Sequence, residues 1–327
     1  MSGPFALFRC DASPAIGGGH VMRCLTLADT LESAGWRTAF ACAPGSAETV
    51  PALAAKRHLD PGASPGERAS LAVVDHYKLD ARDERGFREI ADRILVIDDL
   101  ADRPHDCDFL LDQTAGRTAE DYRPHVPPSC RLLLGSDYAL LRAAFAASRA
   151  QALARRGDVP VERVLLSFGA SDPRGYGVGV ARALLARPDG PAIDLVADAA
   201  GLDQARALAC EHPARLIVHF RTGDVARLMV EADLAAGAAG TTSWERCALG
   251  LPGVAVVTAD NQRLIAERLA QAGAVDLLPE TPAPSYDAVA DRVLALASDG
   301  PRRATMSRAA AAMVDGAGAR RVVAALS

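Results

Sequence analysis

The chain has 327 residues, half of them hydrophobic, with few aromatic residues and abundant alanine. That length exceeds a usual single core and predicts two domains of ordinary size, built of helices packed on sheets rather than an all-β sandwich. A net charge of −5 excludes a general nucleic-acid binder, and no apolar run approaches the roughly 20 residues of a membrane span.

In chain order, the first element is a strand-like run from Phe5 to Phe8, ended by Arg9 and Asp11. A glycine turn follows, Gly17, Gly18 and Gly19, closing on His20. Val21, Met22, Leu25, Leu27, Ala28 and Leu31 then continue at helical spacing. Glycines let backbone approach a ligand, a helix start favours an anion such as a diphosphate, and an imidazole placed there can move protons near neutral pH. A tight turn between strand and helix also favours glycine without any ligand, and a histidine at a helix start is often only a surface residue. The turn alone leaves both readings open.

Further apolar runs recur between helical segments: Thr38 to Cys42, Leu71 to Val74, Ile94 to Ile97, Phe109 to Leu111 and Arg131 to Leu134. This alternation predicts a parallel sheet covered by helices on both faces. Polar groups follow the runs closely: Asp75 with His76 and Tyr77, Asp98 with Asp99, and Asp112 with Gln113. At the carboxyl ends of parallel strands such groups converge on a ligand crevice, or they cap the helices that follow.

The stretch from Ala143 to Val159 reads as a helix and then a linker, Arg155, Arg156, Gly157, Asp158 and Pro160, which sets expected domains at 1–155 and 156–327. The pattern then restarts. Val164 to Phe168 reads as a strand, Gly169 to Asp172 as a turn, and Val178 to Leu185 as a helix. Strands at Ile193 to Val196, Leu216 to His219, Asp233 to Ala235 and Val254 to Thr258 follow, and the alanine-rich stretch Arg302 to Leu326 reads as helix. Two such sets predict two Rossmann-like halves facing a cleft. Gly237, Gly240, Thr241, Thr242, Ser243 and Glu245 lead into a helix predicted at Trp244 to Leu249. Amides and hydroxyls there can hold phosphate, and a carboxylate one turn inside can accept from ribose hydroxyls. The same residues resemble ordinary helix capping. Asn261 and Gln262, before a further helix, can bond sugar substituents or water, or form a cap.

The seven cysteines, at positions 10, 24, 42, 107, 130, 210 and 247, are scattered, with no CxxC and no Cys/His cluster at zinc spacing. This predicts a reducing compartment and no metal site. The start of the chain has neither a basic region nor a cleavage-like site, so a soluble cytoplasmic protein is expected.

Taken together, Arg9-Cys10-Asp11-Ala12-Ser13, Ile16-Gly17-Gly18-Gly19-His20, Arg23 and Leu27-Ala28 resemble the R-x-D-x-S, I-G-x-G-H, R and L-A signature of a known family. These are the UDP-2,4-diacetamido-2,4,6-trideoxy-β-L-altropyranose hydrolases of pseudaminic acid biosynthesis, which share a GT-B architecture with the glycosyltransferase MurG. Asp75-His76-Tyr77, Asp98-Asp99, Tyr138 to Arg142, Gly169 to Asp172, Gly240 to Glu245 and Asn261-Gln262 match further along, in the same order. Two positions depart: Ala170 stands where the family has a second glycine, and Cys10 where a small polar residue is common.

The resemblance implies an α/β GT-B fold of two Rossmann-like domains facing an interdomain cleft. It implies hydrolysis of the UDP-sugar at its anomeric carbon by water; attack by a water that His20 deprotonates, opposite the departing diphosphate, predicts inversion, and the lack of a carboxylate cluster at metal spacing predicts activity without cofactor or metal. The catalytic residues would be His20, Tyr77 and Asn261. Substrate would be bound by Arg9, Asp11, Gly18, Gly19, Arg142, Gly169, Gly240, Thr241, Thr242, Ser243, Glu245 and Gln262, with uracil beside Ile217 to Phe220; for Arg9 and Asp11, orienting His20 or bracing the loop is an equal alternative to substrate contact. The expected partner is this small molecule, with no nucleic acid and no membrane span. Two alternatives stand beside it: a GT-B glycosyltransferase using a UDP-amino sugar, and a non-catalytic nucleotide-sugar-binding protein. A dinucleotide-dependent dehydrogenase is weaker, because the first turn lacks a GxGxxG with a ribose-binding acid at the right distance.

Overall fold

A computed structural model describes residues 3–13, 16–169, 172–220, 222–280 and 283–326. The chain divides into two compact units, residues 1–141 together with 317–327, and residues 142–316.

The first unit is built on seven strands: β1 (Phe5–Cys10), β2 (Arg37–Ala41), β3 (His58–Leu59), β4 (Leu71–Asp75), β5 (Ile94–Ile97), β6 (Phe109–Asp112) and β7 (Arg131–Leu134). They form one sheet in the order β3-β2-β1-β4-β5-β6-β7, and every pairing is parallel. Successive side chains of a strand point to opposite faces, and here both faces are apolar. Ala6, Phe8, Phe40, Leu71, Val73, Leu95 and Ile97 enter one core. Phe5, Leu7, Ala39, Ala72, Val74, Ile94 and Val96 enter the other. Strands buried on two sides explain the continuous apolar runs of the sequence.

The second unit carries β8 (Arg163–Ser167), β9 (Ala192–Ala197), β10 (Leu216–Phe220), β11 (Leu234–Ala238), β12 (Gly253–Val256) and β13 (Asp276–Leu277). Their order is β10-β9-β8-β11-β12-β13, again all parallel. In each sheet the strand order reverses once, between β1 and β4 and between β8 and β11. Ligands of open parallel sheets bind outside the carboxyl ends of strands at such a reversal.

The strands stand within a few residues of their expected places. The two-residue strands β3 and β13 are additions, too short to leave a pattern in the sequence. The expected boundary at 155/156 differs from the observed division after Leu141. The reason is the helix Ala143–Arg155, which packs within the second unit, where Arg149 donates to the carbonyls of Ala311, at 2.7 Å, and Val314, at 2.8 Å. The expected long terminal helix is two helices, Gly300–Met313 and Gly318–Leu326. Gly316, at φ +82°, breaks the run, and the last helix returns to the first unit, where Arg93 donates to the carbonyl of Leu326.

Candidate functional site

In the first unit the reversal brings the glycine turn after β1 against the carboxyl end of β4. Gly17 has φ +81°, a left-handed conformation that favours glycine. Gly18 is the N-cap of the helix Gly19–Ser33, and no side chain caps that helix. A side-chain carbon on Gly18 would stand 2.9 Å from Val50 Cγ2, whereas Gly19 has open space.

His20 is buried in the first turn of this helix, and its Nδ1 lies 2.5 Å from Asp75 Oδ1. An ionised carboxylate only accepts hydrogen bonds, so Nδ1 carries the proton. Nε2 is left with no hydrogen-bond partner among the described residues. Asp75 closes β4 with zero exposure. It also accepts from Arg23, Nε to Oδ2 at 2.6 Å and Nη2 to Oδ1 at 2.7 Å, while Arg23 Nη1 donates to Asp99 at 2.9 Å. Burial opposes a charge on Asp75, yet Arg23 and His20 outweigh it and hold the carboxyl well below the usual carboxylate range. The Tyr77 ring meets the imidazole edge to face, with centroids 4.4 Å apart.

Arg9 and Asp11 form a separate cluster. Arg9 bonds Asp11 through both terminal nitrogens, at 2.5 and 2.9 Å. Asp11 also accepts from the Ala43 amide at 2.7 Å and lies 3.2 Å from His76 Nε2. His76 Nδ1 accepts from the Lys78 amide, so Nε2 is the donor to Asp11. Burial and the Arg9 charge push His76 below its ordinary value, which keeps it neutral near pH 7. These bonds tie the end of β1 to the segments after β2 and β4. They do not include His20.

In the second unit Gly169 follows β8 with φ +103°; Ala170 and Ser171 of the expected turn lie outside the described residues. Asp172 accepts at 2.6 Å from the amide of Gly177, the second residue of the next helix, Tyr176–Leu185. After β11, Gly240 and Thr241 lead into the helix Thr242–Ala248, and no side chain caps it. The capping alternative for Thr241 is therefore absent. The Ser243 and Trp244 amides turn back onto the carbonyls of Gly240 and Thr241, and Ser243 Oγ accepts from Arg246 Nη2 at 2.8 Å.

Glu245 Oε1 lies 3.4 Å from Arg142 Nη2, and Arg142 also donates to the Gly223 carbonyl. Burial raises the Glu245 carboxyl, with Arg142 opposing. Gln262 Oε1 accepts from the Thr258 amide and hydroxyl, and its Nε2 faces Gly240, 3.6 Å from where a side-chain carbon would be. Asn261 is exposed on the short helix Asp260–Gln262.

The structure thus gathers His20 and Tyr77 at one strand reversal, and Gly169, Gly240 to Ser243, Glu245, Arg142 and Gln262 around the other. Asp75, Arg23 and Asp99 were not among the expected site residues. Asp75 was visible as a polar group at a strand end, but nothing in the sequence paired it with His20. Among the described residues no group of three or more His, Cys, Asp or Glu is arranged to hold a metal ion, and no helix is long and apolar enough to cross a membrane.

The whole chain is similar to MurG of Acinetobacter baumannii, with a TM-score of 0.64 at 16% identity, covering 99% of both chains. It is similar to the spinosyn forosaminyltransferase SpnP, with a TM-score of 0.62 at 14% identity and 99% of both chains. The glycosyltransferase VinC, solved with dTDP, has a TM-score of 0.59 at 13% identity, covering 98% of both chains. The chain has the two-domain α/β fold of the GT-B proteins. In sequence it is 33% identical over 148 residues to the UDP-2,4-diacetamido-2,4,6-trideoxy-β-L-altropyranose hydrolase of Campylobacter jejuni. The match spans 42% of this chain and about half, 52%, of that relative's length. The relative carries the activity of the family whose signature the residues resemble. No protein-family model matches the chain.

Proposed function

We propose that the chain is a UDP-sugar hydrolase that converts UDP-2,4-diacetamido-2,4,6-trideoxy-β-L-altropyranose to the free sugar and UDP, a step of pseudaminic acid biosynthesis. The observation that carries this reading is the His20–Asp75 pair, with Nδ1 committed to a buried carboxylate and Nε2 left to act as a base. The identity to the Campylobacter jejuni hydrolase supports it.

In this reading His20 Nε2 takes a proton from water as the water oxygen bonds to the anomeric carbon. The bond from that carbon to the diphosphate oxygen breaks with its electron pair leaving on UDP, so configuration inverts. A general base contributes roughly 10²–10⁴-fold. Tyr77 and Asn261 position the sugar and the attacking water. Gly240, Thr241, Thr242 and Ser243 hold the diphosphate, Glu245 accepts from the ribose hydroxyls, and Gln262 supports the Gly240 turn. Gly18 and Gly19 let the first-unit turn approach substrate, Gly169 does so after β8, and Arg142 answers the negative charge. Arg9 and Asp11 hold the end of β1.

The test is incubation with the named UDP-sugar in oxygen-18 water and excess EDTA, following phosphorus and proton NMR. Release of UDP is expected, with the label on the sugar, the anomeric configuration inverted at early times, and no requirement for added metal. His20→Asn should bind UDP normally while losing turnover by the factor above. Transfer to an added sugar acceptor in place of hydrolysis, or binding without turnover, would replace this reading with one of its two alternatives.

A further inference from the structure

Resting on the reading that the second unit binds the diphosphate of UDP, we propose that Arg246 is a positioning residue for that diphosphate. It would supply the buried positive charge that the anion neutralises and orient the Ser243 hydroxyl toward it.

Arg246 is only 4% exposed, and no carboxylate lies within ion-pair distance of it among the described residues. A buried charge is costly unless it is paired. Three other arginines of this unit that lack a carboxylate partner are answered differently. Arg303, Arg156 and Arg149 each donate to three backbone carbonyls, most of them at the carboxyl ends of helices, where the helix dipole is negative. Arg246 has one carbonyl, Ala238 O at 3.0 Å, and one hydroxyl, Ser243 Oγ at 2.8 Å, both through Nη2. Its guanidinium reaches back to the amino-terminal end of its helix, where the dipole adds positive potential and does not offset it. Burial accordingly pushes the group below its ordinary value, opposed only in part by Cys247 and Glu245.

The position fits an anion site. A side-chain carbon on Gly237 would stand 2.0 Å from Ser167 O and 2.9 Å from Arg246 Nη1. The guanidinium therefore occupies room left by Gly237, between the ends of β8 and β11, where the strand order reverses. Ser243 accepts from Arg246, and its own O–H makes no bond among the described residues. Arg246 thus leaves the Ser243 proton available to a phosphate oxygen.

Titration of UDP and of uridine into the wild type and into Arg246→Gln and Arg246→Lys tests this, with the ratio of the two affinities as readout. Glutamine keeps donors but removes the charge, and the preference for UDP over uridine should fall about tenfold or more, the loss of one charge-assisted bond. Lysine keeps the charge and should hold the preference within about threefold of the wild type. A purely structural Arg246 would weaken both ligands together, and an unchanged preference in Arg246→Gln overturns the proposal. If Arg246→Gln does not fold, Arg246→Lys decides, and a tenfold fall in its preference overturns it. A wild type that binds no UDP would defeat the functional reading itself, with this inference.

Discussion

Asp75 serves four donors with two oxygens, Nδ1 of His20, two nitrogens of Arg23 and, more weakly, the Cys24 thiol. In Asp75→Asn the new amide can donate to Nδ1, so the imidazole proton moves to Nε2 and the base is lost with little change in shape. Turnover should fall about 10³–10⁴-fold while UDP affinity stays within about twofold, as measured by steady-state kinetics and calorimetry. The same substitution carries a pH signature. A carboxyl held below its ordinary value in the folded protein contributes stability that is complete above its unfolded value, near ~4, and is lost as pH falls toward the folded one. The melting temperature of the wild type should therefore exceed that of Asp75→Asn by a constant margin from about pH 7 to 5, and the margin should shrink below about pH 4. Calorimetry over that range checks it, and a margin that widens in acid would contradict the assignment of charge.

Elements carry these side chains to their places through backbone features small enough to miss. Gly237 is an example: β11 runs parallel beside β8, and only a residue without a side chain clears the Ser167 carbonyl. Gly237→Ala should cost about 1–3 kcal/mol by urea unfolding, the usual range for overpacking, because the nearest atom to the new methyl is the Ser167 backbone carbonyl, which cannot swing aside as a side chain can. UDP affinity should fall as well, because Arg246 must shift. The local reading of the chain was good where strands are buried on both faces, since such strands are runs of Val, Ile, Leu, Ala and Phe with polar residues at their ends. It could not choose between a capped helix and a ligand site after Gly240, because Thr, Ser and Glu serve both. Nor could it see that Gly316 divides the terminal helix, because alanine-rich sequence on both sides favours helix equally.

At the scale of the whole molecule the chain leaves its first unit at Leu141 and comes back to it at Ala317. Ala319, Val322, Ala325 and Leu326 of the returning helix enter the same core as Leu27 and Leu31. Val322 and Leu326 are worth roughly 1.5–3 kcal/mol each by burial. Truncation after Gly316 should therefore lower the stability of the first unit, read as increased amide exchange in β1 and β4, while UDP binding by the second unit persists. Equal loss of protection in both sheets would refute the division.

Of the candidate site, the sequence alone supplied what is contiguous: the glycine turn with His20, the Asp75-His76-Tyr77 run, and the Gly240 to Glu245 turn. Those segments are short, and their chemistry follows from residue type and spacing. The partnerships came from the tertiary structure. His20 and Asp75 are 55 positions apart and Arg23 and Asp99 are 76 apart, and they meet because β4 lies beside β1 in the sheet, with β5 next to it, although two strands and several helices separate β1 from β4 in the chain. Ser243 and Arg246 share a helix face at a spacing any sequence shows. That the guanidinium is buried without a carboxylate depends on everything else packed around it, and local sequence holds no record of that.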